Sequence, residues 1–481
     1  MANALNILPA LPEIFVFSMA SVILIADLFV SDRSRATTYY LTQATLIGAA
    51  FLTLLGMGAQ PSLVFERMFV DDTLARLLKV AIYLSTFFVF AYSREYLRDR
   101  DMFRSEYFVL GLFGVVGMMV MASASHLLSL YLGLELLSLS LYAMIAFQRD
   151  SGQATEAAMK YFVLGAIASG ILLYGMSMLY GVTGTLEIGR LRGALGSLNP
   201  NDTILIFGLV FVVVGAAFKL GVAPFHMWVP DVYHGAPTAV TLYIGAAPKI
   251  AAAALVLRLL VGGLEPLAGS WSDMLAILAL LSMGVGNIIA IAQDNLKRML
   301  AYSSISHMGF FLLGIISATP GGYGAAVFYI LIYAAMSLGS FGMIVLLSRA
   351  GFEAEKLTDF RGLNQRSPWY AFLMMLLMFS MAGVPPTAGF YAKLLVIQSV
   401  VAVGQIWLAV AAVLFSVIGA YYYLRMVKLM YFDDATETGN AIEARPGMRH
   451  LLAVNVLALV ATIPWIGTLI DLCQRVIQEM I

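Results

Sequence analysis

Six side chains in this sequence are at odds with their neighbours. Glu135 lies in SLYLGLELLSLSLYAMIAF, with no other charge within two helical turns. Lys219 follows the apolar run GLVFVVVGAAF, Lys249 sits in LYIGAAPKIAAAALVL, and Lys393 in AGFYAKLLVIQ. An ionisable group at the centre of an apolar layer costs roughly 2.5–3.5 kcal/mol, so it persists where it faces partners, water or a transport path. Burial and a nearby carboxylate pull a lysine's proton affinity in opposite directions, so such groups take up or release a proton as partners move. A single Glu–Lys pair would serve equally as a static tie between helices. Three lysines leave a surplus of positive charge that static pairing does not explain. His226 and His307 complete the set. Imidazole relays protons near neutral pH, and His307 has Tyr302, Ser303, Ser304 and Ser306 close by. Either histidine alone reads equally well as a hydrogen-bonded structural residue.

The other candidates are weaker. Arg258 lies near a span end and is expected to snorkel to the surface. His126 falls at a span boundary, His234 in a loop and His450 at an interface. The histidines show no metal-ligand spacing and no HExxH pattern occurs, so no metal site is expected. Cys473 is the sole cysteine, which excludes an intrachain disulfide framework and a multi-cysteine cluster site.

The elements that must position these residues follow from composition. Of 481 residues, 61% are hydrophobic and 12% charged, with a mean hydropathy of +0.88. Soluble domains are nearer half apolar and a quarter charged. An ordinary cytoplasmic enzyme and a disordered chain are excluded, and a net charge of 0 gives no footprint for nucleic acid. The expected class is an all-α polytopic membrane protein embedded in the lipid bilayer. Fourteen apolar segments are long enough to cross it: 11–30, 37–57, 74–92, 107–124, 127–147, 161–181, 203–227, 237–260, 273–292, 301–318, 325–348, 370–396, 402–430 and 450–470. The runs are continuous rather than alternating, which argues against a β-barrel. The first begins MANALNILPALPE, with Glu13 and no basic leader, so it is expected to remain as a span. Eighteen Lys and Arg fall in the odd-numbered loops and their flanks, against six in the even-numbered ones and the C-terminus. The positive-inside rule then puts both termini outside, residues 182–202 outside, and residues 349–369 and 431–449 in the cytoplasm.

Two segments carry helix breakers beside a lysine. Gly221 and Pro224 follow Lys219, and Gly383, Pro385, Pro386 and Gly389 precede Lys393. Interrupted helices survive in membranes only where protein or water satisfies the opened backbone, and paired breaks in two halves mark ion sites in transporters. Glu135 and Lys219 are 84 residues apart, His307 and Lys393 86. Spans 4–8 and 9–13 therefore read as two five-helix repeats. An odd number of spans per unit makes them inverted. The implied division is 1–106, 107–260, 261–430 and 431–481.

GAAFKLGVAPFHMWVPDVYHGAPTAVTLYI, AIAQDNLKRMLAYSSISHMGF and SMAGVPPTAGFYAKL resemble the antiporter-like membrane subunits of respiratory complex I, the bacterial NADH-quinone oxidoreductase. The resemblance covers spans 4–13 strongly. It implies that Glu135, Lys219, Lys249 and Lys393 are the family's proton-transferring residues, that His226 and His307 lie with them along a central polar axis, and that half-channels lead to either side. It implies a non-redox translocase subunit in the inner membrane, held among other membrane-arm subunits. NADH, FMN, iron–sulfur clusters and quinone would then belong to partner subunits, with no cofactor on this chain. Lysine rather than glutamate at 393 argues against subunit M. The end of the chain at Ile481, soon after the last span, suggests that the long lateral helix of subunit L is missing. A subunit of a multisubunit cation/proton antiporter is the alternative, and a purely structural scaffold a third reading.

Overall fold

A computed structural model of the chain describes residues 6–29, 36–199, 202–348, 350–435 and 446–480. The basic residues Arg33, Arg35, Arg349 and Arg445, and much of the 431–449 loop, lie outside the described residues. All fourteen expected segments are helical. Twelve helices among the described residues are long and apolar enough to cross a membrane. The twelfth span, expected to be interrupted, is two short apolar helices, Pro368–Ala382 and Ala388–Ala402. The expected fourteenth is not one straight span: Gly447–Ala461 and Ile463–Met480 meet at 50°. Pro464 at that corner cannot donate the backbone bond that would continue the helix.

The seventh span runs Thr203–Leu220, stops at Gly221, and resumes as the short helix Trp228–Gly235. The eighth holds an irregularity that its sequence gave little warning of. Thr238–Gly245 and Ala247–Val256 are offset at Ala246, and the end, Leu257–Gly263, winds as a π-helix. The structure adds one feature outside the helices, an antiparallel hairpin of Ser62–Val64 and Phe69–Asp71.

Small residues bring the helices into contact. A Cβ on Gly117 of the fourth span (Ser105–Ala122) would lie 2.7 Å from the Gly133 carbonyl of the fifth (Leu127–Ile145). The ninth and tenth spans, Ala268–Ile291 and Leu296–Ile316, meet the same way at Gly286 and Gly309. Such close approach is how apolar helices associate where lipid removes the hydrophobic drive. The eighth span is 100% buried over its apolar window and the tenth 94%, against 33% for the first and thirteenth. The eighth and tenth therefore form the centre.

Loop contacts sort the molecule into two ends. At one, the even-numbered loops meet through Arg67–Glu187, Arg192–Glu265 (3.0 Å) and the hairpin, which bridges to Ala124. At the other, the odd-numbered loops meet through Arg100–Glu353 (2.5 Å), Arg298–Asp231 (3.0 Å) and Arg425–Asp294 (2.9 Å). The fifth span begins with a bridge between His126 and Glu187 at the first end; the tenth begins with one between Asn295 and Lys356 at the second. In each bridge both residues are 169 positions from their counterparts. One local structure thus occurs twice, at opposite ends.

Candidate functional site

Both helix breaks are built from Gly-Val-x-Pro, 162 residues apart. Gly221 has φ +75° and Gly383 φ +85°, left-handed values that glycine adopts without strain. At the first break the N–H groups of Gly221 and Val222 both turn back to the Ala217 carbonyl, at 2.9 and 3.1 Å. At the second, those of Gly383 and Val384 turn back to Phe379, at 3.0 and 2.9 Å. Doubled closure onto one carbonyl, around a left-handed glycine, ends a helix abruptly and leaves later carbonyls in need of donors.

Buried lysines supply those donors. Lys249 Nζ donates to the Leu220 carbonyl at 2.7 Å, and Lys393 Nζ to the Ala382 carbonyl at 3.0 Å. Lys393 also donates to Ser416 Oγ at 3.2 Å and lies 4.9 Å from the centre of the Phe310 ring. Sequence spacing aligns Lys393 with Lys219, but by its bond at the break its counterpart is Lys249. Lys219 precedes the break and donates instead to Ser138 Oγ at 2.7 Å.

Ser138 lies one turn beyond Glu135 on the same face of the fifth span. Glu135 is half-buried and accepts a hydrogen bond from Ser169 of the sixth span, Gly152–Thr183. Glu135 and Lys219 are within electrostatic reach of each other, but no ion pair closer than 4.0 Å joins them. Lys219 and Lys249 line one cavity of about 30 Å³, with Ser138, Tyr161 and Trp228 among its walls. That is room for about one water molecule.

His226 lies in the turn between the two halves of the seventh span, half-buried, and bonds to neither lysine. Ser282 of the ninth span closes that turn by accepting from the Ala223 N–H at 2.9 Å. His307 is buried on the tenth span, its Nδ1 2.7 Å from the Tyr329 hydroxyl and its Nε2 3.2 Å from that of Tyr423. Phe310, beneath Lys393, is one turn from His307 on the same helix. Between Lys249 and His307 lie more hydroxyls. Ser337 donates to Gly245 at the offset in the eighth span, at 2.8 Å, and the Tyr333 ring is 5.2 Å from His307. Tyr233 and Ser304 face one another nearby, yet neither hydroxyl closes a well-formed hydrogen bond. A broken row of polar groups thus passes from the fifth span to the twelfth through the seventh, eighth and tenth.

Of the hydroxyls in this row, the sequence points only to Ser304, through its closeness to His307. Serine and tyrosine are common in membrane helices, and only a neighbouring charge in space distinguishes the others. Buried pairs outside the row were also missed. Arg258 does not snorkel: its guanidinium grips Asp72 with two 2.6 Å bonds and donates to the Ala122 carbonyl at 2.9 Å. Burial alone would raise the Asp72 carboxyl, but the Arg258 charge and hydrogen bonds, with the Ala75 N–H, reverse this and hold it below its ordinary value. Lys79, on the third span (Thr73–Arg98), is buried and pairs with Glu13 at 2.5 Å.

The weaker histidine candidates stand apart from the row. His126 caps the fifth span, its Nδ1 accepting from the Leu128 N–H at 3.2 Å. His234 is in the last turn of the helix Trp228–Gly235, not in a loop, beside Gln153. His450 is exposed on the helix Pro446–Ala461, and Cys473 is buried in the helix Ile466–Met480. Among the described residues no three His, Cys, Asp or Glu side chains gather as a metal site.

A polytopic bundle with inverted halves, each interrupted beside a buried lysine, has the build of an antiporter-like membrane subunit. Residues 124–419 match the family described as NADH:quinone oxidoreductase/Mrp antiporter, TM, and the chain belongs to that family. It is 62% identical over 455 residues to NADH-quinone oxidoreductase subunit N of Thiobacillus denitrificans, covering 94% of each chain. With subunit N of Thioalkalivibrio sulfidiphilus it shares 59% over 474 residues, 98% of each. A chain of respiratory complex I from Thermus thermophilus superposes with a TM-score of 0.83 at 29% identity, over 96% of this chain and 99% of that one. A chain of the Mrp complex from Dietzia has a TM-score of 0.85 at 21% identity, over 99% of this chain and 98% of that one, a likeness of fold.

Proposed function

We propose that this chain is a proton-translocating membrane subunit of NADH-quinone oxidoreductase, working as a non-redox part of a hetero-oligomeric membrane arm in the bacterial inner membrane. The observation that carries the reading is the row of buried and half-buried polar groups through five spans, with Lys219 and Lys249 on one water-sized cavity. Glu135 sets the charge near Lys219. Lys219 exchanges protons with Lys249, and His307 with its tyrosines links Lys249 to Lys393. His226, half-buried in the first break, passes protons between this row and one side of the membrane. Residues 107–260 and 261–430 serve as two inverted units, with 1–106 and 431–481 packed around them. The end rich in basic loops faces the cytoplasm, and both termini face the periplasm.

Redox chemistry lies elsewhere in this scheme. NADH, FMN, iron–sulfur clusters and quinone belong to partner subunits, and the chain alone has no catalytic activity. Mild purification from native membranes tests the proposal. Co-purification with flavin and iron–sulfur subunits is expected. Recovery without them, from cells that need the chain for sodium extrusion, would establish the alternative, a subunit of a cation/proton antiporter. The Mrp-like fold is the observation favouring that second reading.

A further inference from the structure

Lys249 and Lys393 stand at the same point of two separate breaks. Each donates to the carbonyl directly before the left-handed glycine, Leu220 before Gly221 and Ala382 before Gly383. The C-terminal end of a helix carries unpaired carbonyls and a partial negative charge, so an ammonium there is held by both hydrogen bond and dipole. Among the described residues neither lysine has a carboxylate within 4.0 Å. Lys297 offers a contrast. It donates to the Ala236 carbonyl at 2.9 Å, at the end of the helix Trp228–Gly235, but has the Glu355 carboxylate 3.8 Å away as a counter-charge.

We propose that Lys249 and Lys393 are switchable caps, each holding its break closed while protonated and releasing it when the proton leaves. This rests on the reading that both lysines carry protons. In the step at the first break, an Nζ–H bond of the Lys249 ammonium breaks. The proton forms a new N–H bond on the neutral amine of Lys219, directly or through a water in the shared cavity. The neutral Lys249 amine no longer feels the helix-end charge as an ion does, and the Leu220 carbonyl turns to water. Gly221 is the pivot. It has the left-handed φ of an abrupt stop, and a side chain there would lie 2.6 Å from Val229 and 3.4 Å from Lys249 Nζ. Gly383 repeats this, 2.9 Å from the Lys393 stem. Proton hand-over and helix opening are then one event, repeated in each half of the chain.

Backbone hydrogen exchange in the assembled complex tests this. The segments to follow are 217–224 and 379–386, with 234–238 at the Lys297 cap as reference. At rest, Lys249→Met should speed exchange at 217–224 about tenfold or more, the scale of one lost charge-assisted hydrogen bond. Lys249→Arg keeps charge and donors and should exchange as the unaltered protein does. Lys393→Met and Lys393→Arg should do the same at 379–386. During NADH–quinone turnover the unaltered protein should exchange faster at both breaks and not at 234–238. Unchanged protection in Lys249→Met, or no response to turnover at either break, would overturn the switch. If a methionine variant does not assemble, the turnover response alone decides. Proton pumping by Lys249→Arg is a separate readout: full pumping removes the carrier role of Lys249 and leaves the capping result standing.

Discussion

Lys219 reaches for Ser138, not for Glu135, although the two acceptors are one helical turn apart on the same face. The ammonium is held by a neutral hydroxyl while its counter-charge waits nearby, bonded to Ser169. A closed ion pair would resist releasing its proton; this arrangement leaves Lys219 free to exchange it.

The first prediction separates charge from proton release at that position. Lys219→Arg keeps a positive charge but cannot readily deprotonate, so the complex should assemble and lose coupled proton pumping. Lys219→Ala should lose pumping too. Glu135→Ala should fail and Glu135→Asp should retain part of the rate. Ser138→Ala should assemble and lower pumping by about tenfold or more, since a hydrogen bond to a charged group contributes roughly 1.5–3 kcal/mol. The measurement is pumping and NADH–quinone turnover per assembled complex. Full pumping by Lys219→Arg would remove the relay role.

A second prediction concerns the buried pair that joins the third span to the eighth. Asp72→Asn leaves the Arg258 guanidinium buried and unpaired, a loss of about 3–5 kcal/mol. Less assembled complex and a lower unfolding temperature are expected, with partial recovery when Arg258→Met is added. Asp72 is held below its ordinary carboxyl value, so its stabilising effect is complete above that value and fades only as pH falls through the lowered one. The gap in unfolding temperature between Asp72→Asn and the unaltered protein should therefore be the same at pH 6 and pH 8. A gap that closes at pH 6 would contradict the charged pairing.

Sidedness supplies the third prediction. Ser197 and Thr358 are exposed at opposite ends of the molecule. On a background in which Cys473 is replaced by serine, Ser197→Cys should react with an impermeant thiol reagent from the periplasmic side and Thr358→Cys only from the cytoplasmic side. The reverse pattern would invert the proposed orientation.

The span order was legible because continuous apolar runs have few other uses, and the breaks because Gly-Val-x-Pro cannot continue a helix. The lysines were legible as charges without neighbours. What escaped notice depended on packing between distant segments. Ser282 is an ordinary serine in an apolar helix until Ala223, 59 residues earlier, turns its N–H toward it. Arg258 looked able to reach the surface because nothing in its own span marked Asp72, 186 residues away, as a partner. The offset at Ala246 had a local signal in Pro248, but alanine-rich flanks masked it. Lys393 was matched to Lys219 by chain distance, whereas the bond each lysine makes at a break is a property of three-dimensional position.

The enclosure of the eighth and tenth spans has an electrical consequence. A layer of other helices separates Lys249 and His307 from lipid, and no salt solution surrounds them. Screening by mobile ions acts over about 8–10 Å in water and far less on buried charges. A unit of charge gained or lost at Lys249 is therefore felt at Lys219 with little screening by mobile ions, across a cavity with room for little more than one water. The core works as an insulated conductor: its ends can influence one another without any helix having to slide.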